Sequence, residues 1–266
     1  MRQQPSLAQL FSSVALTVIL AAGLGGCQTM SDVTGSISPK AAPGADADLH
    51  RAAEIEGERY RADPQNAEAA LAYGQALRAS GQRSQAAAVL EQTTIAHPGD
   101  KALLAAYGRA LADNGNFQQA FEVLSRAHSP DNPDWRLLSV QGTALDQLGR
   151  HEEARRYYAS ALKIAPDEPS VLSNLGLSYM LSKDLPKAEE VLRQAYASGR
   201  ADARVRQNLG LVVGLQGRFA EAEQIVRADL PVEQAAANVA YLKQMLNRKE
   251  DSRTAKMPVA SLSRPE

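Results

Sequence analysis

Residues 135–168 read WRLLSVQGTALDQLGRHEEARRYYASALKIAPDE, and this stretch of 34 residues decides the fold. Gly142, Leu145, Gly149, Ala154 and Tyr158 each stand in a column that recurs every 34 residues along the chain. The first column is Gly74, Gly108, Gly142, Gly176 and Gly210, and the second is Leu77, Leu111, Leu145, Tyr179 and Val213. A third reads Gly81, Gly115, Gly149, Lys183 and Gly217, and a fourth Ala86, Ala120, Ala154, Ala188 and Ala222. The fifth is Leu90, Leu124, Tyr158, Leu192 and Val226. Self-similarity at one fixed period marks a stacked repeat architecture.

Each column has a physical task. The first glycine and the alanine let two antiparallel helices approach closely, because neither carries a bulky side chain. The third column ends the first helix, at a backbone position that calls for a left-handed residue. The two large apolar columns face the seam and the neighbouring unit. Pro64, Pro98 and Pro166 close second helices, since proline cannot continue a helix and biases the residue before it toward extended backbone. The composition agrees: hydrophobic residues make up 44% of the 266-residue chain but aromatics only 5%. That apolar content is mostly Ala and Leu, which favour helices, whereas strands favour β-branched and aromatic residues.

The period, the two helices per unit and the Gly…Leu/Tyr…Ala…Leu…Pro order together resemble the tetratricopeptide repeat. The resemblance implies an all-α, right-handed α-solenoid. It covers repeats at 67–100, 101–134, 135–168, 169–202 and 203–236, with cap helices at 48–62 and 233–248 shielding the apolar ends. Val239, Leu242, Met245 and Leu246 give the second cap its helical spacing. Departures exist: no Trp occupies the usual early aromatic place, where Ala70, Leu104, Leu138, Leu172 and Arg206 stand, and the fourth and fifth units lack the closing proline. Pro130 and Pro133 make the exit from the second unit irregular.

The N-terminus has a different character. Arg2 is the single charge in 1–26, and an apolar run from Leu10 to Ala22 leads to Leu24-Gly25-Gly26-Cys27. A basic start, a short apolar core and small residues at its end describe an export signal. The last four residues resemble the lipobox of bacterial lipoproteins, which implies cleavage after residue 26 and acylation of Cys27. Two or more acyl chains anchor stably where one binds reversibly. Gln28 rather than Asp follows the cysteine, which by the same resemblance implies the periplasmic face of the outer membrane. Loss of 1–26 removes only Arg2, so the net charge moves from -1 to -2. The Ser-, Pro- and Gly-rich stretch 27–47 reads as a flexible tether, which at about 20 residues averages roughly 25 Å end to end. The polar tail 249–266 also reads as disordered.

The repeat region offers no catalytic constellation. The four histidines, His50, His97, His128 and His151, share no helix face at ligand spacing and read as solvated residues at turns and helix starts. The sole thiol is Cys27. No metal site, cofactor or small-molecule substrate is expected, and charges of both signs are interspersed without the basic stripe of a nucleic-acid binder. Function is then protein binding. In such solenoids the first helices line a concave groove. Arg78, Arg109, Arg136 and Asp146 are expected along its early part, and Leu177, Met180, Leu181, Leu211 and Leu215 along its later part, although the final helix could cover Leu181 and Leu215. Asn174 and Asn208 form a two-step ladder on this face. Their amides either pair with an extended partner backbone or satisfy neighbouring groups of the chain itself.

The signal with its lipobox, the tether, the repeats and the closing segment Ala-Asn-Val-Ala-Tyr-Leu-Lys-Gln-Met-Leu at 237–246 resemble the TadD family. These are lipoproteins of the tight-adherence (Flp, type IVc) pilus apparatus. The resemblance implies a non-enzymatic scaffold that assists assembly of the pilus and secretion machinery, its protein partners including the secretin. A general envelope-biogenesis lipoprotein, such as a β-barrel assembly accessory or an adaptor for cell-wall hydrolases, is the alternative.

Overall fold

The computed structural model describes residues 44–129 and 131–254, without the side chains of Ala45 and of 249–254. The expected signal peptide, Cys27, the expected tether up to residue 43 and the tail from 255 lie outside the described residues. Within them the protein is a stack of twelve helices. A leading helix, α1 (Ala45–Ala62), is followed by five antiparallel pairs and a closing helix. The pairs are α2 (Ala67–Ala79) with α3 (Arg83–Ala96), α4 (Lys101–Asp113) with α5 (Phe117–Ala127), and α6 (Trp135–Gln147) with α7 (His151–Ile164). Next come α8 (Pro169–Leu181) with α9 (Leu185–Ala197), α10 (Ala203–Leu215) with α11 (Phe219–Val226), and finally α12 (Val232–Thr254).

Every first helix of a pair is started by a side-chain cap. Asn66, Asp100, Asp134, Glu168 and Asp202 each accept a hydrogen bond from a backbone N–H of the first turn, satisfying a donor that the helix itself leaves free. These residues form a further column of period 34. Every first helix is also ended alike. Gly81, Gly115, Gly149, Lys183 and Gly217 take positive φ, between 66° at Lys183 and 84° at Gly115. The next N–H then reaches back to the carbonyl of Leu77, Leu111, Leu145, Tyr179 or Val213, at 2.8–3.2 Å.

The close approach within each pair is set by the first glycine column. A Cβ at Gly74, Gly108, Gly142, Gly176 or Gly210 would lie 2.5–2.7 Å from Leu90, Leu124, Tyr158, Leu192 or Val226 on the second helix. Each large residue therefore occupies the space a side chain would need. Leu77, Leu90, Leu124, Leu145 and Leu192 are fully buried, and burying a side chain of that size contributes about 1.5–3 kcal/mol. Ala53 and Tyr60 of α1 belong to the same core as α2–α5, so α1 seals that end of the stack.

Two boundaries differ from the sequence reading. Helix α1 begins at Ala45, three residues before the expected 48, because Gly44 supplies the break (φ 112°) and Asp46 and Asp48 suit the positive end of the helix. Helix α12 continues to Thr254 rather than 248. Residues 249–253 (Lys-Glu-Asp-Ser-Arg) contain no Gly or Pro, so nothing in them interrupts the helix. The closing helix lays Leu242 directly on Gly214 of α10, 2.6 Å from where a Cβ would stand. Tyr241 and Met245 of the same helix stay exposed.

Candidate partner-binding face

The first helices α2, α4 and α6 bring three arginines together. Arg78 is held by Asp113, with Nε 2.6 Å from the carboxylate. Arg136 lies over the ring of Trp135, its guanidinium carbon 4.5 Å from the centroid. Between them stands Arg109, half-buried, with no hydrogen bond or ion-pair contact to any described residue. Burial pushes its pKa below the ordinary value. Asp134 and Asp113 act the other way, while Arg78 and Arg136 add to the depression. An arginine carries five N–H donors and no acceptor. Partial desolvation is costly where the opposite charges, Asp134 and Asp113, make no contact with the guanidinium, so this group is set to receive an anion.

Further along, Asn174 donates from Nδ2 to the hydroxyl of Ser139 at 3.1 Å, and Asn208 does the same to Ser173 at 2.8 Å. Both serines are buried, on the first helix of the preceding unit. One N–H of each amide is thus engaged within the chain, which fixes the two amides and leaves their carbonyl oxygens as acceptors. Leu177, Met180 and Leu211 lie half-buried on this part of the face, Met180 packed against the core that contains Leu209 and Val213. Leu181 and Leu215 are also half-buried.

Asp146 is not a groove residue. It is 7% exposed and sits in a network that ties the third unit to the fourth. It accepts from Tyr158 (2.9 Å) and Ser178 (2.7 Å) and meets Nδ1 of His151 at 2.9 Å. Burial and the Asp146 charge raise the Tyr158 pKa well above its ordinary value, so this phenol stays a donor. His151 and His128 are correspondingly not free in solvent. Nε2 of His128 meets Gln141 Oε1 at 3.0 Å, and its buried Nδ1 has no partner. The sequence reading missed Ser139, Ser173 and Trp135. The serines could be found as polar residues one position before the Asn column, and Trp135 as the aromatic beside Arg136.

Among the described residues no three His, Cys, Asp or Glu side chains converge as metal ligands. No described helix is long and apolar enough to cross a membrane. The profile of the family described as Tetratricopeptide repeat matches residues 71–134, 126–169 and 139–203. The chain belongs to the tetratricopeptide-repeat family. That family membership makes the stack a protein–protein interaction scaffold. No curated protein matches the chain. Among solved structures the tetratricopeptide stack is similar to PilW, a widely conserved type IV pilus biogenesis factor. Identity is 18% and the TM-score 0.63, over 73% of this chain and 91% of PilW. It is also similar to the APC/C heterotetramer Cut9–Hcn1 (19% identity, TM-score 0.58), covering 76% of this chain but only 41% of the other. A thermophilic tetratricopeptide protein of Thermus thermophilus, TTC0263, shows 23% identity and a TM-score of 0.57 over 65% of this chain and 98% of its own. Identities at this level speak for the shared fold.

Proposed function

We propose that this protein is a non-enzymatic scaffold, anchored through acylated Cys27 to the periplasmic face of the outer membrane, that binds components of the tight-adherence (Flp) pilus apparatus and assists assembly of its secretin. The observation that carries the binding reading is Arg109. A half-buried guanidinium with no contacting counter-ion, flanked by Arg78 and Arg136 and with Asp134 and Asp113 acting only at longer range, fits a carboxylate-bearing segment. Charge-assisted pairs between guanidinium and carboxylate are the stronger kind of hydrogen bond. The acceptors on Asn174 and Asn208 fit the main-chain N–H groups of the same segment. Leu177, Met180 and Leu211 offer it apolar contact. No cofactor, metal or small molecule takes part.

The pilus assignment rests on the lipobox at Cys27, the tether and the 237–246 segment, which together resemble TadD proteins. PilW, a type IV pilus biogenesis factor, shares the repeat fold. The test is co-purification from membranes with the full-length lipoprotein, beside a Cys27→Ser form. Recovery of the secretin, with outer-membrane association that depends on Cys27, supports the reading. Recovery of β-barrel assembly or cell-wall proteins in its place overturns the pilus assignment and leaves the scaffold.

A further inference from the structure

The second helices carry a feature of opposite charge. Between α3 and α5 opens a cleft of about 500 Å³, lined by Glu91, Ile95, Tyr107, Glu122, Val123 and Arg126 among others. Ile95 is 77% exposed, the most exposed of the large apolar side chains described. Val123 is buried beside it, so the cleft has one aliphatic side. Tyr107 is buried and presents its hydroxyl to the cleft, where it accepts from Gln119 at 2.9 Å. Burial and the Glu91 carboxylate push the Tyr107 pKa up to about 12, so the hydroxyl keeps its proton at neutral pH. Glu91 and Glu122 are exposed on the rim, and neither has an ion-pair partner among the described residues. Arg126 is turned to the carbonyl of Pro98, 3.4 Å away. Glu122 accepts only from the neutral amide of Gln118.

The repeat itself supplies a control. One period further along, Ser125, Ser129 and Arg156 stand where this junction has Glu91, Ile95 and Glu122. The combination of an aliphatic wall and two uncompensated carboxylates is particular to the first junction, and the spacing that builds the stack does not require it.

We infer that this cleft is a second docking site, which takes a lysine or arginine side chain projecting from a partner protein. The charge complementarity is net: two carboxylates without an ion-pair contact and a hydroxyl oxygen face the cleft, against one lining cation, Arg126, which is turned to the Pro98 carbonyl. A long basic side chain lays its methylene stem along apolar surface while keeping its charge in polar surroundings, and Ile95 and Val123 provide that surface. Apart from Tyr107 and Pro98 the site lies on the second helices and shares no residue with the arginine face, so the scaffold can hold an acidic and a basic segment at once.

The test uses the full chain with 13C-labelled Ile and Val methyl groups and two synthetic peptides, acetyl-Ala-Leu-Lys-Leu-Ala-amide and its norleucine counterpart. The expected result is a saturable shift of the Ile95 and Val123 methyl signals with the lysine peptide, with at least tenfold weaker binding of the norleucine peptide. The Glu91→Gln/Glu122→Gln form should lose the same factor, and Arg109→Met should lose nothing. Both glutamates are exposed, so the remaining methyl signals should stay in place. Ile95→Ser, another exposed position, gives a second variant with the same expected loss. Absence of the shift, equal binding of norleucine, or unchanged affinity in the double variant overturns the proposal.

Discussion

Replacement of Gly142 by alanine is the sharpest probe of how the repeat is packed. On an exposed helix this change would stabilise by about 1 kcal/mol, because alanine is the better helix former. Here the added Cβ would lie 2.5 Å from Cε1 and 2.8 Å from Cζ of Tyr158. Tyr158 cannot swing aside at low cost: it is 1% exposed, and its hydroxyl donates to Asp146. Overpacking of a filled core costs about 1–3 kcal/mol. Displacing the ring also strains a hydrogen bond to a charged group, worth about 1.5–3 kcal/mol. With the helix-propensity gain set against these, the net cost is about 3 kcal/mol, which for a stack of this size lowers the thermal midpoint by about 6–12 °C. The assay is thermal unfolding followed by far-UV circular dichroism, repeated in urea. An unchanged or raised midpoint would refute the reasoning, because the glycine column would then not be set by the facing side chain.

Three other outcomes follow from the same geometry. Arg109→Met removes a half-buried charge that has no contact partner, so the folded state should be unchanged or more stable by about 1 kcal/mol, while affinity for an acidic segment falls. Calorimetry and a binding titration on the same sample read the two effects. Replacing Asn174 and Asn208 together by alanine leaves Ser139 and Ser173 without their donors, at a cost of about 1 kcal/mol each, and should weaken partner binding; unaltered binding in a pull-down removes the ladder. Burial opposes ionisation of Glu189, but hydrogen bonds from Arg193, Arg218 and Gln216 outweigh it and hold its carboxyl below the ordinary value of 4.5. A depressed folded pKa gives stability that is present above the unfolded pKa and is lost as pH falls through the folded one. Urea midpoints should therefore drop as pH falls below about 4.5, and Glu189→Gln should flatten that slope.

Much of the stack was legible because each column answers to one local constraint. The first glycine column predicts a close contact, and a large side chain stands over every one of those glycines. The third column predicts left-handed residues, and even Lys183, which breaks the glycine rule, adopts φ 66°. The cap column escaped notice because its residue type changes from Asn to Asp to Glu while its chemistry does not. A search by hydrogen-bond role rather than by identity would have found it. The placement of Asp146 was not legible for a different reason. Its partners Tyr158 and Ser178 come from the following helix and the following unit, and only packing reveals that an acid at a surface-like position is enclosed. The Asn ladder is visible in the sequence, but its engagement with serines on the preceding unit depends on how closely successive first helices pack.

Trp135 makes the central claim directly measurable. It is the only tryptophan in the chain, and it lies beneath Arg136 at the arginine end of the first-helix face. Titration of the full chain with an acidic peptide, followed by Trp135 emission, should give a saturable change that weakens with added salt and is lost in Arg109→Met. An emission signal that does not respond, or a response that Arg109→Met leaves unchanged, would contradict the assignment of this face as the partner-binding surface.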